Sequence, residues 1–591
     1  MTGQLNRVDV TVLPVGWMNR SSGSYPSEVS GCWSPGLSPD GRHAAYVSDR
    51  SGSPKVWVQP VGSDLTFLVD TGEAPVVSVH WSTGGGWLAC VLAPGGAPRT
   101  EVWLVRPDGS ALHQVAGFGA DSAENVRWLP GRPLLAVTEN LTTTLLVDAE
   151  HGTREVIATG ELVSLFDVTK DGSKALLRHG PRSGRHVVVR DLATGSDLPV
   201  TSGEQACFGP DGSVWARSDA AELPVLTRDS LTVASSGTAE VESFALTADG
   251  SRAAILWNVR GGLSELTILD TATGAMERVE HPGSVLSGLS WCFDGSTLAF
   301  TAEGPGQPHG VWTWDGELHP VSAEDAAPGA VRPTLHRFAS HDGLEISGWL
   351  FQPATPGPHP TMVWLHGGPE AQERPGHGPL FQSLVDRGIA VFAANVRGSS
   401  GFGRSFVNAD NGARRYAAIG DVAACVKYLV SEGIADEPRI GCMGRSYGGY
   451  LTLAALTTYP EMFAVGIDTC GMSNFATFYE HTEPWIAAAA VSKYGDPVTD
   501  AELLRELSPI THIDRLKTPL MIVHGENDSN VPVIEAEQVV AALQERGVEH
   551  KYLLFPGEGH ELQHRAARAE YLRETVGWLT AHLFPAPAFL N

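Results

Sequence analysis

Three residues of this 591-residue chain have the types and spacing for acyl transfer: Ser446, Asp528 and His560. Ser446 lies in Gly444-Arg445-Ser446-Tyr447-Gly448, which fits G-x-S-x-G. An apolar run, Ile440 to Met443, precedes it, and Leu451, Leu453, Ala454 and Leu456 begin a helical pattern after it. A strand turning sharply into a helix holds the central hydroxyl out at the top of a sheet, and the flanking glycines make room for the turn. The helix N-terminus behind the serine favours developing negative charge. A serine hydroxyl needs a base, and the base needs an orienting acid. PLMIVHGENDSNVP offers Asp528 after an apolar strand, and HKYLLFPGEGHEL offers His560 in the same way. Asp528 competes with Glu526, and its place in H-G-x-x-D-x-x-V-P favours it. His560 competes with His524, His550 and His564; it alone ends a G-x-G-H loop. The order serine, acid, histidine is the order this chemistry takes on an open α/β sheet. Two oxyanion donors are expected: the Tyr447 backbone N–H, and a second from LHGGP (365–369), with Gly368 preferred and Gly367 next.

The elements that must position these groups alternate. A hairpin is expected over 336–353, buried strands over 361–368 and 389–398, and a helix over 419–433. The serine strand and its helix come next, then a strand over 463–471, a strand from 519, a helix over 533–547, a strand from 550 and a final helix over 564–583. Alternation of this kind implies a mostly parallel, doubly wound sheet, with functional loops beyond the carboxyl ends of its strands.

The front of the chain is different. Seven units repeat between residues 26 and 316, with turn glycines at 41, 85, 131, 172, 212, 250 and 295, 38 to 46 residues apart. Each unit alternates apolar and polar residues around a tight turn. Such units bury their faces only by stacking on one another, which predicts a seven-bladed β-propeller. The Asp-Gly pairs in these units read as hairpin turns, because the fuller calcium loop D-x-[DN]-x-[DN]-G is missing. The organisation expected is an N-terminal segment over 1–25 that packs on the second domain or merely flanks the propeller, the propeller over 26–318, a linker over 319–335 and the α/β domain over 336–591.

A net charge of −26 argues against nucleic acid or an anionic membrane as partner. No 18-residue apolar stretch suggests a membrane span, and the start shows no secretory pattern. Seven scattered cysteines without C-x-x-C spacing fit reduced, buried thiols in a cytoplasmic protein. No metal-ligand spacing stands out, so neither metal nor cofactor is expected.

LHGGP, NVRGSSGFGRSF (395–406), GRSYGGY (444–450), HGENDSNVP (524–532) and GEGH (557–560) together resemble the prolyl oligopeptidase family of serine peptidases, in particular its acylaminoacyl-peptidase-like branch. The resemblance implies a propeller joined to an α/β-hydrolase domain, and a peptidase limited to short substrates. It implies Ser446 as nucleophile, His560 as general base and acid, Asp528 as orienter, and Tyr447 and Gly368 as oxyanion donors. Its substrates would be short peptides or aminoacyl amides. The other reading is a small-molecule esterase or amidase, including one that inactivates a peptide-like or aminoacyl-nucleoside antibiotic. The resemblance also implies that residues 471–496 border a specificity pocket, with Phe475, Phe478, Tyr479 and Trp485 as apolar wall and Glu480 or Glu483 for a free ammonium. Arg445 departs from the glycine that relatives often carry; the cation either tunes the site or points away, the second being the simpler expectation.

Overall fold

The computed structural model describes residues 30–96, 98–181 and 184–584. Segment 1–25 lies outside the described residues. An eight-stranded sheet carries the back half: β1 (Thr334–Ala339), β2 (Glu345–Phe351), β3 (His359–Leu365), β4 (Ala390–Asn395), β5 (Ala435–Arg445), β6 (Val465–Thr469), β7 (Leu520–Gly525) and β8 (His550–Phe555). Their spatial order is β1-β2-β4-β3-β5-β6-β7-β8. β1 and β2 join antiparallel, and every pair from β4 to β8 is parallel. Strand residues alternate between two cores. Val363, Leu365, Phe392 and Ala394 face one, with the helices Arg415–Ser431 and Tyr447–Thr458. Met362, Val391 and Ala393 face the other, with Pro379–Val385 and Arg565–Leu583. A parallel sheet buried on both faces accounts for the near-continuous apolar runs of its strands.

The front half forms five four-stranded antiparallel sheets and one seven-stranded sheet. The seven-bladed expectation is corrected to that extent. The fourth and fifth repeats fuse because a 12-residue strand, Asp197–Phe208, runs through both. Its first half pairs with His186–Asp191 and its second half with Val214–Ser218. The ring closes where the first sheet meets the last. Cys32, Leu37, Ala44 and Tyr46 share one apolar cluster with Cys292, Ala299, Val311 and Val321. The last propeller strand runs to Ser322 and β1 begins at Thr334, so the connection is shorter than the expected 319–335.

The propeller sits on the loops at the carboxyl ends of the parallel strands. Arg374 reaches Glu242 Oε1 at 2.7 Å, the Gly262 carbonyl at 2.7 Å and Ser264 Oγ at 2.9 Å. The Gly403 N–H donates to Glu240 Oε1 at 2.6 Å, and the His377 N–H to Glu303 Oε2 at 2.6 Å. Arg568 pairs with Asp49, and the Arg565 N–H donates to the Gly52 carbonyl at 2.9 Å. Those loops position the candidate site.

Candidate active site

β5 ends at Arg445 and the next helix starts at Tyr447, leaving Ser446 alone at the junction with φ 56° and ψ −118°. That is a strained conformation for a residue with a Cβ, and the surroundings enforce it. A Cβ on Gly448 would strike the Leu365 carbonyl, and one on Gly444 would strike the Gly448 carbonyl. The Ser446 N–H donates to the Thr469 carbonyl at 2.8 Å, which ties the turn to the end of β6. A Cβ on Gly367 would lie 3.4 Å from Ser446 Cβ and 4.0 Å from its Oγ. Gly367 therefore lies against the serine, while Gly368 (φ 125°) turns the chain into a cis Gly368-Pro369 bond. His366 fixes this loop by bonding Ser399 Oγ at 2.8 Å and the Gly367 carbonyl at 2.7 Å.

Asp528 and His560 come together. His560 Nδ1 bonds Asp528 Oδ2 at 2.7 Å. The other carboxylate oxygen accepts the N–H groups of Asn530 and Val531, both at 2.9 Å. Burial pushes the Asp528 carboxyl up, but His560, its hydrogen bond and His524 outweigh this and hold it below the usual carboxylate value. Glu526, the rival acid, is exposed and accepts from the Gly557 N–H at 3.3 Å. Of the rival histidines, His524 lies behind the aspartate. It donates to the Val531 carbonyl at 2.7 Å and stands 3.5 Å from Asp528 Oδ2. His564 is bound to Glu558, whose carboxylate also accepts the Gln563 and His564 N–H groups and so braces the loop that carries His560.

Two neighbours of the histidine stand differently from the simpler sequence expectation. Arg445 does not point away: its guanidinium donates to the His560 carbonyl and pairs with Glu561 at 2.7 Å. Cys470, just past β6, has φ 43°, and its N–H donates to the Val523 carbonyl at 2.8 Å. One donor atom each from Cys470, Asp528 and His560 lie within 4.8 Å of one another, the one such three-donor group among the described residues. Burial pushes the His560 imidazolium down, but Cys470 and Asp528 push it up more, to about 10. The sequence places Cys470 among the buried thiols, since nothing in the strand pattern marks the residue after β6 as facing the loops.

The expected pocket wall needs correction. Phe475 and Phe478 are buried in the hydrolase core against Tyr450 and Tyr494, because 475–481 forms a helix whose apolar side faces inward. Tyr479 directs its hydroxyl to the Gly495 carbonyl at 2.9 Å. Glu480 is exposed, Glu483 accepts from Ser529 Oγ at 2.8 Å, and Trp485 is half-buried on the helix Pro484–Tyr494. Tyr447 and Tyr494 instead flank a buried Arg415, which pairs with Asp410. The Tyr447 hydroxyl donates to Asp410 at 3.1 Å, and Lys493 joins Asp410 to Glu370. Two cations and two carboxylates thus neutralise each other beneath the elbow.

A cavity of about 470 Å³ lies between propeller and hydrolase domain. Glu204, Asp219, Glu240 and Glu242 line it from the propeller, and Glu370 and Gly403 from the other side. Arg185 pairs with Glu204, Arg217 with Asp219 and Arg374 with Glu242. Among the described residues Glu240 accepts only the Gly403 N–H; burial, with Asp219 and Glu242, raises its pKa against the pull of Gly403 and Arg217. Ser446 is not in the lining; Glu370, two residues beyond Gly368 in the chain, is.

Fold and site together define an α/β-hydrolase covered by a propeller. Residues 379–585 match the model of the prolyl oligopeptidase family. Dipeptidyl aminopeptidase BIII of Pseudoxanthomonas mexicana is 39% identical over 227 residues, 38% of this chain and 33% of that protein. The acylamino-acid-releasing enzyme of Rattus norvegicus is 27% identical over 346 residues, 54% of this chain and 47% of that enzyme. The chain thus spans about a third of the first relative's length and about half of the second's. Solved structures share the fold over nearly the whole chain. A puromycin hydrolase superposes with TM-score 0.82 at 19% identity, covering 95% of each chain. An acylaminoacyl peptidase of Pyrococcus horikoshii superposes with TM-score 0.70 at 16% identity, covering 96% of this chain and 98% of that one.

Proposed function

We propose that this protein is a serine peptidase that hydrolyses short peptides or aminoacyl amides through an acyl-enzyme. The observation that carries the reading is a strained serine at a strand–helix turn combined with a histidine held by a buried aspartate. Ser446 Oγ attacks the substrate carbonyl while His560 Nε2 takes its proton. Asp528 holds the imidazole and stabilises it when charged. The Tyr447 N–H and an N–H of the Gly367-Gly368 loop receive the oxyanion, with Gly368 the donor first expected and Gly367 the one against Ser446. His560 returns the proton to the leaving amine, and a water then repeats the sequence on the ester.

Substrate selection follows from the cavity. Glu240, beside Asp219 and Glu242 and with no cation of its own among the described residues, suits a free ammonium group. This reading replaces Glu480 and Glu483 with propeller carboxylates. The name of the dipeptidyl aminopeptidase relative is in keeping with it. We assign the seven-stranded sheet the part of two blades, so that a seven-unit ring restricts substrate length. No helix among the described residues is long and apolar enough to cross a membrane. All seven cysteines are unpaired and buried, which supports placement in the reducing cytoplasm.

The test is a screen of aminoacyl chromogenic amides, N-acylated counterparts and simple esters, with Ser446→Ala as control. The expected result is amide turnover that requires Ser446 and prefers a free amine, the preference being lost in Glu240→Gln. Ester turnover without amide cleavage would identify a small-molecule esterase instead, and a preference for N-acylated amides would remove Glu240 from substrate recognition.

A further inference from the structure

The peptidase chemistry uses His560 and Asp528 but has no task for Cys470, although that thiol is held beside them. Its position is built. Cys470 adopts a left-handed φ of 43° that L-residues seldom take, and its backbone is tied to β7 through the Val523 carbonyl. The residue is 3% exposed, Asp528 5%, and the three donor atoms lie within 4.8 Å. A thiolate, an imidazole and a carboxylate are the donor types that bind zinc in sites with three protein ligands and one open position. Thiolate and carboxylate together match the charge of a divalent ion, which matters in a buried place.

We propose that Cys470, His560 and Asp528 form an inhibitory site for a divalent cation of borderline softness, such as zinc. The cation takes the place of the proton shared by His560 Nδ1 and Asp528 Oδ2, whose 2.7 Å separation opens by about 0.5 Å to suit a tetrahedral ion. In neutral His560 that proton moves to Nε2; in the imidazolium, whose Nε2 already carries a proton, it leaves to solvent. The thiol proton also leaves to solvent, and water fills the fourth position. With Nε2 protonated, His560 has no lone pair for the Ser446 proton, so occupied sites are inactive. The Arg445 guanidinium, bound to the His560 carbonyl, opposes the incoming charge and sets this apart from a resident structural metal. Magnesium and calcium, which prefer oxygen donors, bind poorly here.

Coordination does not depend on the peptidase reading; inhibition does, through His560 as base. Two readouts on the full-length protein separate them. Titration with cobalt(II) should give a thiolate-to-cobalt charge-transfer band saturating at one ion per chain, displaced by zinc(II). The band should vanish in both Cys470→Ala and Cys470→Ser, either of which suffices if the other fails to fold. Under buffered zinc, each protein compared with its own metal-free rate, hydrolysis by the unmodified protein should fall and recover with chelator. The zinc concentration for half-inhibition should rise roughly 100-fold in the folded variant. Absence of the band, or its survival without Cys470, overturns the site. A band with undiminished hydrolysis overturns the inhibition. Absence of metal-free hydrolysis overturns the peptidase reading and leaves the cobalt result standing.

Discussion

In the proposed mechanism the chemistry turns on His560, and three contacts set its behaviour: Asp528 on Nδ1, Arg445 on its carbonyl and Cys470 nearby. Asp528→Asn retains the shape but favours the wrong tautomer, so kcat should fall roughly 10³–10⁴-fold with little change in thermal stability. The raised pKa has a definite sign. A base works only when neutral, so kcat/KM falls as pH drops through the raised value of about 10. The acidic limb of the pH profile should therefore lie above the ordinary histidine value and move down in Cys470→Ala; an unmoved limb would show that the thiol does not influence the base. Arg445→Ala should lower kcat by roughly 10–100-fold with KM nearly constant, since a 1 Å shift of the histidine loop is enough for that loss. The three residues proposed to carry the reaction were legible in the sequence because each ends an apolar strand in a glycine-rich or polar loop. Arg445 stood out as a departure, but neither its contacts nor those of Cys470 were legible, because they come from where β5, β6 and the His560 loop converge. Phe475 and Phe478 misled because an aromatic in a short helix can face either way.

Among the elements, the β5-to-helix turn stores the strain that presents Ser446. Its glycines are steric requirements: Gly448→Ala must move the Leu365 carbonyl, and β3 with it. That variant should lose several kcal/mol of stability or fail to fold, as circular dichroism during thermal melting would report. Beneath the turn, burial raises the Asp468 carboxyl to about 7, against the pull of the Gly471 N–H that it accepts at 2.9 Å. An acid whose folded pKa is raised costs nothing below its unfolded value near 3.8. It destabilises increasingly from there to about 7, and fully above. Asp468→Asn, which keeps an acceptor for Gly471, should therefore raise Tm at pH 8 and leave it nearly unchanged at pH 4. Strand–helix alternation made the eight-stranded sheet readable, because a parallel strand covered on both faces must be an apolar run. The helices over Phe475–His481 and Pro484–Tyr494 were not read as such; their short, mixed sequences take form only against Tyr450 and the Arg415 pair.

At the scale of the whole molecule, the loops of the parallel sheet lie under a propeller, and the contacts between them are largely polar: Arg374 with Glu242, Arg568 with Asp49, and Gly403 with Glu240. Polar interfaces of this kind permit relative motion and weaken with salt. Arg374→Ala combined with Arg568→Ala should relax the length limit, seen as a higher kcat/KM for a long unstructured peptide relative to a tripeptide. The repeat was legible from its turn glycines, while the fusion of two repeats into one sheet was not. The turn signals around Gly172 and Gly212 mark each unit without revealing that Asp197–Phe208 pairs on both sides. The central claim, acyl transfer through Ser446, is tested most directly by labelling with a fluorophosphonate, followed by intact mass and peptide mapping. One phosphonyl group per chain on Ser446, with hydrolysis lost in proportion, is the result expected. Full hydrolysis after labelling, or a label on Cys470 with Ser446 untouched, would contradict it.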